Sequence, residues 1–155
     1  FKVPFIVRWP GRVPAGTTSA EMIGLVDVYA TLAAVVGETK LDRTTTAPDS
    51  VNVLSAFTSL TANPPLRSDL ILQSANGVHA IRRGPWKWIE GVPVSPPGKK
   101  AAPKKSPKSD QFRPMLYDLK NDPAETTDVS AQHPDIVQQL SETLRQQRTQ
   151  GFSRN

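Results

Sequence analysis

Val78-His79-Ala80-Ile81-Arg82-Arg83-Gly84-Pro85-Trp86-Lys87-Trp88-Ile89-Glu90 is the stretch on which the fold turns. Val78–Arg82 is short and β-prone, and Arg83-Gly84-Pro85 is a strong turn signal. Beyond it, Trp86 and Trp88 fall on one face at period two, with Lys87 and Ile89 on the other. The pattern predicts two antiparallel strands. Upstream, Asp69–Gln73 predicts a third strand, joined through Ser74-Ala75-Asn76-Gly77, where Asn76-Gly77 tolerates positive φ. Downstream, Met115–Leu119 predicts a fourth, ended by Asn121-Asp122-Pro123. Pro134 suits the first turn of a helix over about residues 134–149, with Ile136, Val137, Leu140 and Leu144 as its narrow apolar stripe. This half reads as a small antiparallel sheet carrying one helix.

The other half reads differently. Val3–Trp9 is β-branched and aromatic, apolar on both faces apart from Arg8, as in a strand buried within a mostly parallel sheet. Trp9-Pro10-Gly11 stops it. Thr18 stands three residues before Glu21, a capping-box spacing. Met22, Leu25, Val26, Tyr29, Leu32, Ala33 and Val36 then recur at helical intervals, predicting an amphipathic helix over Ala20–Val36, with Gly37 as its stop. Glu38–Asn52 reads as a polar loop and Val53–Leu60 as a short helix. Asn63-Pro64-Pro65 marks the subdomain boundary, so residues 1–60 and 61–155 are expected to form separate parts. A core strand opening at Phe1 without a turn or cap suggests that a segment once preceded it, whereas Gly151–Asn155 reads as a frayed natural end.

Composition narrows the function. The 155 residues include 19 Lys+Arg and 14 Asp+Glu, a net charge of +5. Five of those lysines, Lys99, Lys100, Lys104, Lys105 and Lys108, sit in the Pro/Lys/Ser-rich stretch Val92–Pro114. Without them the chain is neutral, so its basicity belongs to one loop. The absence of cysteine excludes disulfides, thiolate zinc sites and a cysteine-derived nucleophile within these residues. No run of apolar residues is long enough to span a membrane. The two histidines, His79 and His133, are far apart, and the acids are scattered singly, so no metal-ligand set or catalytic motif appears. His133 reads as a helix-entry residue and His79 as a partly buried structural histidine. Asp27, in mid-helix, needs a structural partner across the helix–sheet interface. The lysines carry no interleaved aromatics, which argues against a nucleic-acid stacking platform. Polyanion binding by Lys99–Lys108 is the alternative role.

Five segments in order resemble the later part of the formylglycine-dependent sulfatases, arylsulfatase-like members of the alkaline phosphatase superfamily. They are Val3–Gly11 with Val13-Pro14-Ala15-Gly16, Leu25-Val26-Asp27 with Thr31-Leu32 and Gly37, Ala80–Ile89, Leu116-Tyr117-Asp118-Leu119 with Asp122-Pro123-Ala124-Glu125-Thr126, and His133-Pro134-Asp135. Arg8, Trp9, Pro10, Gly11, Asp27, Thr31, Arg82, Gly84, Trp86, Lys87, Tyr117, Asp118, Asp122, Pro123 and Glu125 carry the match as structural motif residues. Ala30 stands where the family often has proline.

The resemblance implies an α/β fold: the last strand and covering helix of a large mixed sheet, then a small antiparallel sheet with a C-terminal helix. It implies a parent hydrolase acting on sulfate esters of a small molecule or glycan. The nucleophile motif and calcium ligands of such enzymes lie upstream of the matched strand, in an N-terminal catalytic segment outside this chain. No catalytic or metal-binding residue is therefore expected here, and the chain alone is expected to be inactive. Ser95-Pro96-Pro97-Gly98-Lys99 ends in Lys where the nucleophile motif needs Arg, and is rejected. His79, Arg82, Lys99, Lys100, Lys104 and Lys105 would border the substrate cleft. Family habit implies an exported or periplasmic protein.

Overall fold

The computed structural model describes residues 3–38, 40–42, 45–59, 65–93 and 112–153. The chain forms two compact units: Phe1–Leu70 with Gln150–Asn155, and Ile71–Thr149.

Four strands and a helix organise the second unit: β1 (Asp69–Gln73), β2 (His79–Arg83), β3 (Trp86–Pro93), β4 (Phe112–Asp118) and α3 (Pro134–Gln150). The sheet order is β1-β2-β3-β4, with β2–β3 and β3–β4 antiparallel. Arg83 pairs with Trp86 across the two-residue turn Gly84-Pro85, where Gly84 takes φ +54°, a conformation that a side chain would strain. Ile81, Trp88 and Leu116 stand opposite one another on three successive strands. With Leu140 and Leu144 of α3 they form the core, and Ile136 and Val137 pack against it, so the expected helical stripe is the one used.

β3 and β4 both reach further than the sequence suggests. Val92 pairs with Arg113 and Pro93 with Phe112, past an irregularity between Ile89 and Val92. The expected loop 92–114 therefore gives up both its ends to the ladder. Pro114, with no N–H to donate, is accommodated because β4 lies at the sheet edge.

The first unit contains α1 (Val28–Val35), α2 (Leu54–Thr58) and a 3-10 turn at Leu25–Asp27. Two expectations change here. The helix begins eight residues later than the expected Ala20, because the Asp27 carboxylate receives the Gly24 N–H at 2.8 Å and fixes the start there, while the Thr18–Glu21 spacing goes unused. Its end is as expected: Gly37, at φ +88°, lets Gly37 N–H and Glu38 N–H return to Ala34 O and Ala33 O. Residues 3–9 run without helix or ladder pairing, although the composition predicts a strand. A strand needs a hydrogen-bonding neighbour, and none is present among the described residues. Phe5 stacks on Phe57, with ring centroids 5.8 Å apart.

Polar stitches tie α1 to the segment before α2. Ser50 Oγ accepts the Ala30 N–H at 2.9 Å, and Thr31 Oγ1 donates to Asp27 O at 2.7 Å while accepting the Val53 N–H at 3.0 Å.

Candidate functional site

Three polar clusters gather most of the motif residues. The first is in the N-terminal unit. Asp27 is fully buried, and Arg67, immediately upstream of β1, is 5% exposed. The guanidinium meets both carboxylate oxygens of Asp27 and also donates to Asp69 O and Asp49 O. Asp27 further accepts the N–H groups of Gly24 and Val51. Every lone pair of the carboxylate thus faces a donor, which offsets the cost of burying the charge. Asp27 thus has the partner that its burial requires, but it stands at the N-cap of α1 and not in mid-helix. Its partner is Arg67, from the segment before β1, and no residue of the expected Val3–Trp9 strand takes that role.

The second cluster lies on β3, β4 and the loop that follows. Lys87 is 4% exposed and donates to Glu125 Oε1 and Oε2 at 2.7 and 2.6 Å. Glu125 holds φ +57°, uncommon for a residue with a Cβ. Asp122 builds the turn that presents it, accepting the N–H groups of Thr126 and Thr127, each at 2.8 Å, and the Thr126 hydroxyl at 3.0 Å. These bonds, the Thr127 N–H first, hold the Asp122 carboxyl below its ordinary value. Burial opposes the charge of Asp128, yet hydrogen bonds from Ser130 and the Leu116 N–H, with Arg113 nearby, keep its carboxyl low as well. Tyr117 shifts the other way: burial, then the charges of Asp128, Glu125 and Asp122, raise its phenol. The Tyr117 hydroxyl donates to Met115 Sδ, and Asp118 accepts from Lys120 N and Asn121 Nδ2. Pro123 is exposed in the turn.

The third cluster joins strand ends to α3. Both the backbone N–H and Nδ1 of His79 lie 2.9 Å from Glu90 Oε1, and Arg148 donates to Glu90 Oε2 at 2.8 Å. His79 is therefore held in a charge network across β2, β3 and α3. Among the described residues, Arg82 donates to Gly84 O, at 3.3 Å. Trp86 packs its ring against His133, 4.8 Å between centroids, and His133 O receives the Val137 N–H at the helix entry. At the other end of the chain Arg8 is exposed, and Trp9 O closes the Pro10-Gly11 turn by accepting from Arg12 N and Val13 N.

Lys99, Lys100, Lys104, Lys105 and Lys108 lie outside the described residues. Among the described residues, no three His, Cys, Asp or Glu side chains converge where they could hold a metal ion. No described helix is long and apolar enough to cross a membrane. Arg67, Glu90, Asp128 and Arg148 are network members that sequence reasoning missed. For Arg67 the signal was indirect: Asp27 needed a cation.

These arrangements hold strands, loops and helices in place. Residues 67–150 match the family described as the C-terminal region of aryl-sulfatase, and the chain belongs to this family. It is 36% identical over 148 residues to the N-acetylgalactosamine-6-O-sulfatase of Bacteroides thetaiotaomicron, covering 96% of this chain and 27% of that protein. Arylsulfatase K of Xenopus laevis is 23% identical over 151 residues, covering 92% of this chain and 25% of its own length. A solved structure from work on metabolism of multiple glycosaminoglycans by Bacteroides thetaiotaomicron superposes with TM-score 0.72 at 32% identity, over 94% of this chain and 29% of that one. The Ps i-CgsB crystal structure shares the fold, with TM-score 0.62 at 21% identity over 89% of this chain and 27% of its own. The chain thus spans little more than a quarter of the length of these relatives. The polyanion-binding alternative gains no support from them.

Proposed function

We propose that this chain acts as the C-terminal portion of a sulfatase that hydrolyses a sulfate ester on a sugar. The observation that carries the reading is the 36% identity to N-acetylgalactosamine-6-O-sulfatase along 96% of the chain. Within such an enzyme these residues would brace the catalytic domain through the Asp27–Arg67 and Lys87–Glu125 pairs. The nucleophile and the calcium ligands would come from an N-terminal catalytic segment, and the chain alone would turn over no substrate. The matched relatives leave room for that segment, since more than two-thirds of their length lies outside the match. The location that fits a glycan substrate is outside the cytoplasm.

His79 and Arg82 would stand near the substrate cleft. His79 would act through Glu90 and Arg148 as a positioning residue. The five lysines would raise the local concentration of an anionic ester, an effect that weakens as salt is added. The test uses a chimera in which this chain replaces the matching C-terminal quarter of the Bacteroides relative. The chimera should release inorganic sulfate from N-acetylgalactosamine 6-sulfate, and the isolated chain should release none. Replacing the five lysines with serine should lower kcat/KM on a sulfated polymer at low salt and leave it unchanged at high salt. Equal salt dependence in both proteins would remove the lysines from the proposal.

A further inference from the structure

The turn between β1 and β2 puts an amide side chain beside a bare backbone nitrogen. Asn76 and Gly77 are both exposed, and the Asn76 carboxamide has no hydrogen-bond partner among the described residues. Gly77 takes φ +80°, and a Cβ placed on it would meet nothing within 4 Å, so neither a side chain nor a neighbour shields its nitrogen. The other described asparagines are guarded. Asn52 Oδ1 accepts the Leu54 N–H at 3.0 Å, and the residue after it, Val53, is β-branched and 1% exposed. Asn121 Nδ2 donates to Asp118 Oδ2 at 2.6 Å, and the N–H that follows, of Asp122, is held by Asp118 O at 2.7 Å. One bond restrains Gly77: its N–H donates to Ser74 O at 2.9 Å. That bond lies in an exposed turn, which opens locally at low cost. A single hydrogen bond of this kind slows a reaction that must break it by about tenfold or less. It delays the reaction without preventing it.

We infer that Asn76 is a site of spontaneous covalent modification by its own backbone. The Gly77 nitrogen loses its proton to solvent and attacks Asn76 Cγ. The new C–N bond closes a cyclic imide as the Cγ–Nδ2 bond breaks, and the side-chain nitrogen takes a proton from solvent and leaves as ammonia. Water then opens the ring at either carbonyl. One opening gives aspartate, and the other gives isoaspartate, in which the side-chain carbons of residue 76 have entered the main chain. Water is the sole co-reactant and no catalytic site takes part, so the reaction does not depend on the sulfatase reading. The isoaspartyl form lengthens the turn between Ser74 and Val78, which are joined by Ser74 N–H to Val78 O at 2.9 Å and by Val78 N–H to Ser74 Oγ at 3.1 Å. His79 follows directly, with its N–H and Nδ1 on Glu90 Oε1. The longer turn releases the start of β2 from that carboxylate.

The experiment ages the chain in mildly alkaline buffer at physiological temperature and maps its tryptic peptides by mass spectrometry. Cleavage after Arg67 and Arg82 leaves Asn76 as the one asparagine of its peptide. That peptide should gain the mass of an NH-to-O exchange before the peptides holding Asn52 and Asn121 do, and isoaspartyl methyltransferase should label it. Asn76→Ser should abolish both signals, and Gly77→Ala should slow them. The folded chain should react within about tenfold of the same chain unfolded in urea. A larger gap, or earlier modification of Asn52 or Asn121, overturns the inference. Cooperative unfolding in urea shows beforehand that the sample is folded, and the chimera described above takes its place if the isolated chain is not. Hydrogen exchange of the His79 N–H should quicken as isoaspartate accumulates, whereas Asn76→Asp, which keeps the length of the main chain, should leave it unchanged. Aged protein whose His79 N–H exchanges as slowly as in fresh protein overturns the effect on β2.

Discussion

Lys87 Nζ lies 2.6 Å from one carboxylate oxygen of Glu125 and 2.7 Å from the other, and this pair joins a buried lysine near the start of β3 to a residue in left-handed backbone. The two are 38 residues apart, on β3 and in the loop after β4. Removing only the acid takes a carboxylate from a buried ammonium. Glu125→Ala should therefore cost about 3 kcal/mol, near the low end for breaking a buried pair because Glu125 is partly exposed. Lys87→Met with Glu125→Gly removes the buried charge and the backbone strain together, and should be more stable than Glu125→Ala. Urea unfolding followed by tryptophan fluorescence checks the order of the two variants.

In the N-terminal unit, Asp27→Asn should be more damaging. It leaves Arg67 buried without its counter-charge, and about 3–5 kcal/mol is the expected loss. Circular dichroism during urea unfolding reads it. A loss below about 1 kcal/mol would show that backbone carbonyls alone satisfy the guanidinium.

Acid should weaken the C-terminal unit through Asp122 and Asp128. Both carboxyls sit below their ordinary value of 3.8 in the folded chain. The folded state therefore binds fewer protons than the unfolded one across that window. Their contribution is complete above the ordinary value and fades as pH falls through the depressed folded values. Asp128→Asn and Asp122→Asn should each flatten the acid limb of stability against pH, with no comparable change near neutrality in its slope. An unchanged acid limb in both variants would place the acid sensitivity elsewhere.

Leu144, 2% exposed, packs with Trp88, Ile81, Leu116 and Leu140 under α3. Leu144→Ala should cost about 2–5 kcal/mol by leaving a cavity. Gln138→Ala, on the exposed part of the same helix, should change stability by less than about 0.5 kcal/mol. Thermal unfolding of the two variants separates core from surface.

The C-terminal unit was largely legible in its sequence because its signals are local. Gly84-Pro85 sets the hairpin, period two sets the faces of Trp86 and Trp88, and Pro134 starts the helix whose stripe makes the core. The N-terminal unit was less legible because its signals concern partners. Residues 3–9 have the composition of a buried strand, but composition supplies no hydrogen-bonding neighbour. Asp27 could be read as needing a partner, yet nothing local points to an arginine 40 residues away. Glu125 is a similar case: the motif around Asp122-Pro123 marked a turn, and only the fold reveals that the turn exists to set a carboxylate on Lys87. The expected cleft residues divide in the same way. His79 is resolved into a network with Glu90 and Arg148, and the lysines lie outside the described residues.

Sulfate release by the chimera tests the central claim most directly. With N-acetylgalactosamine 6-sulfate as substrate, the chimera should free inorganic sulfate with a kcat/KM within about a hundredfold of the Bacteroides parent, a loss of under about 3 kcal/mol in transition-state stabilisation. The same parent truncated before the matched region should free none. A chimera that folds cooperatively and releases no sulfate would contradict the account.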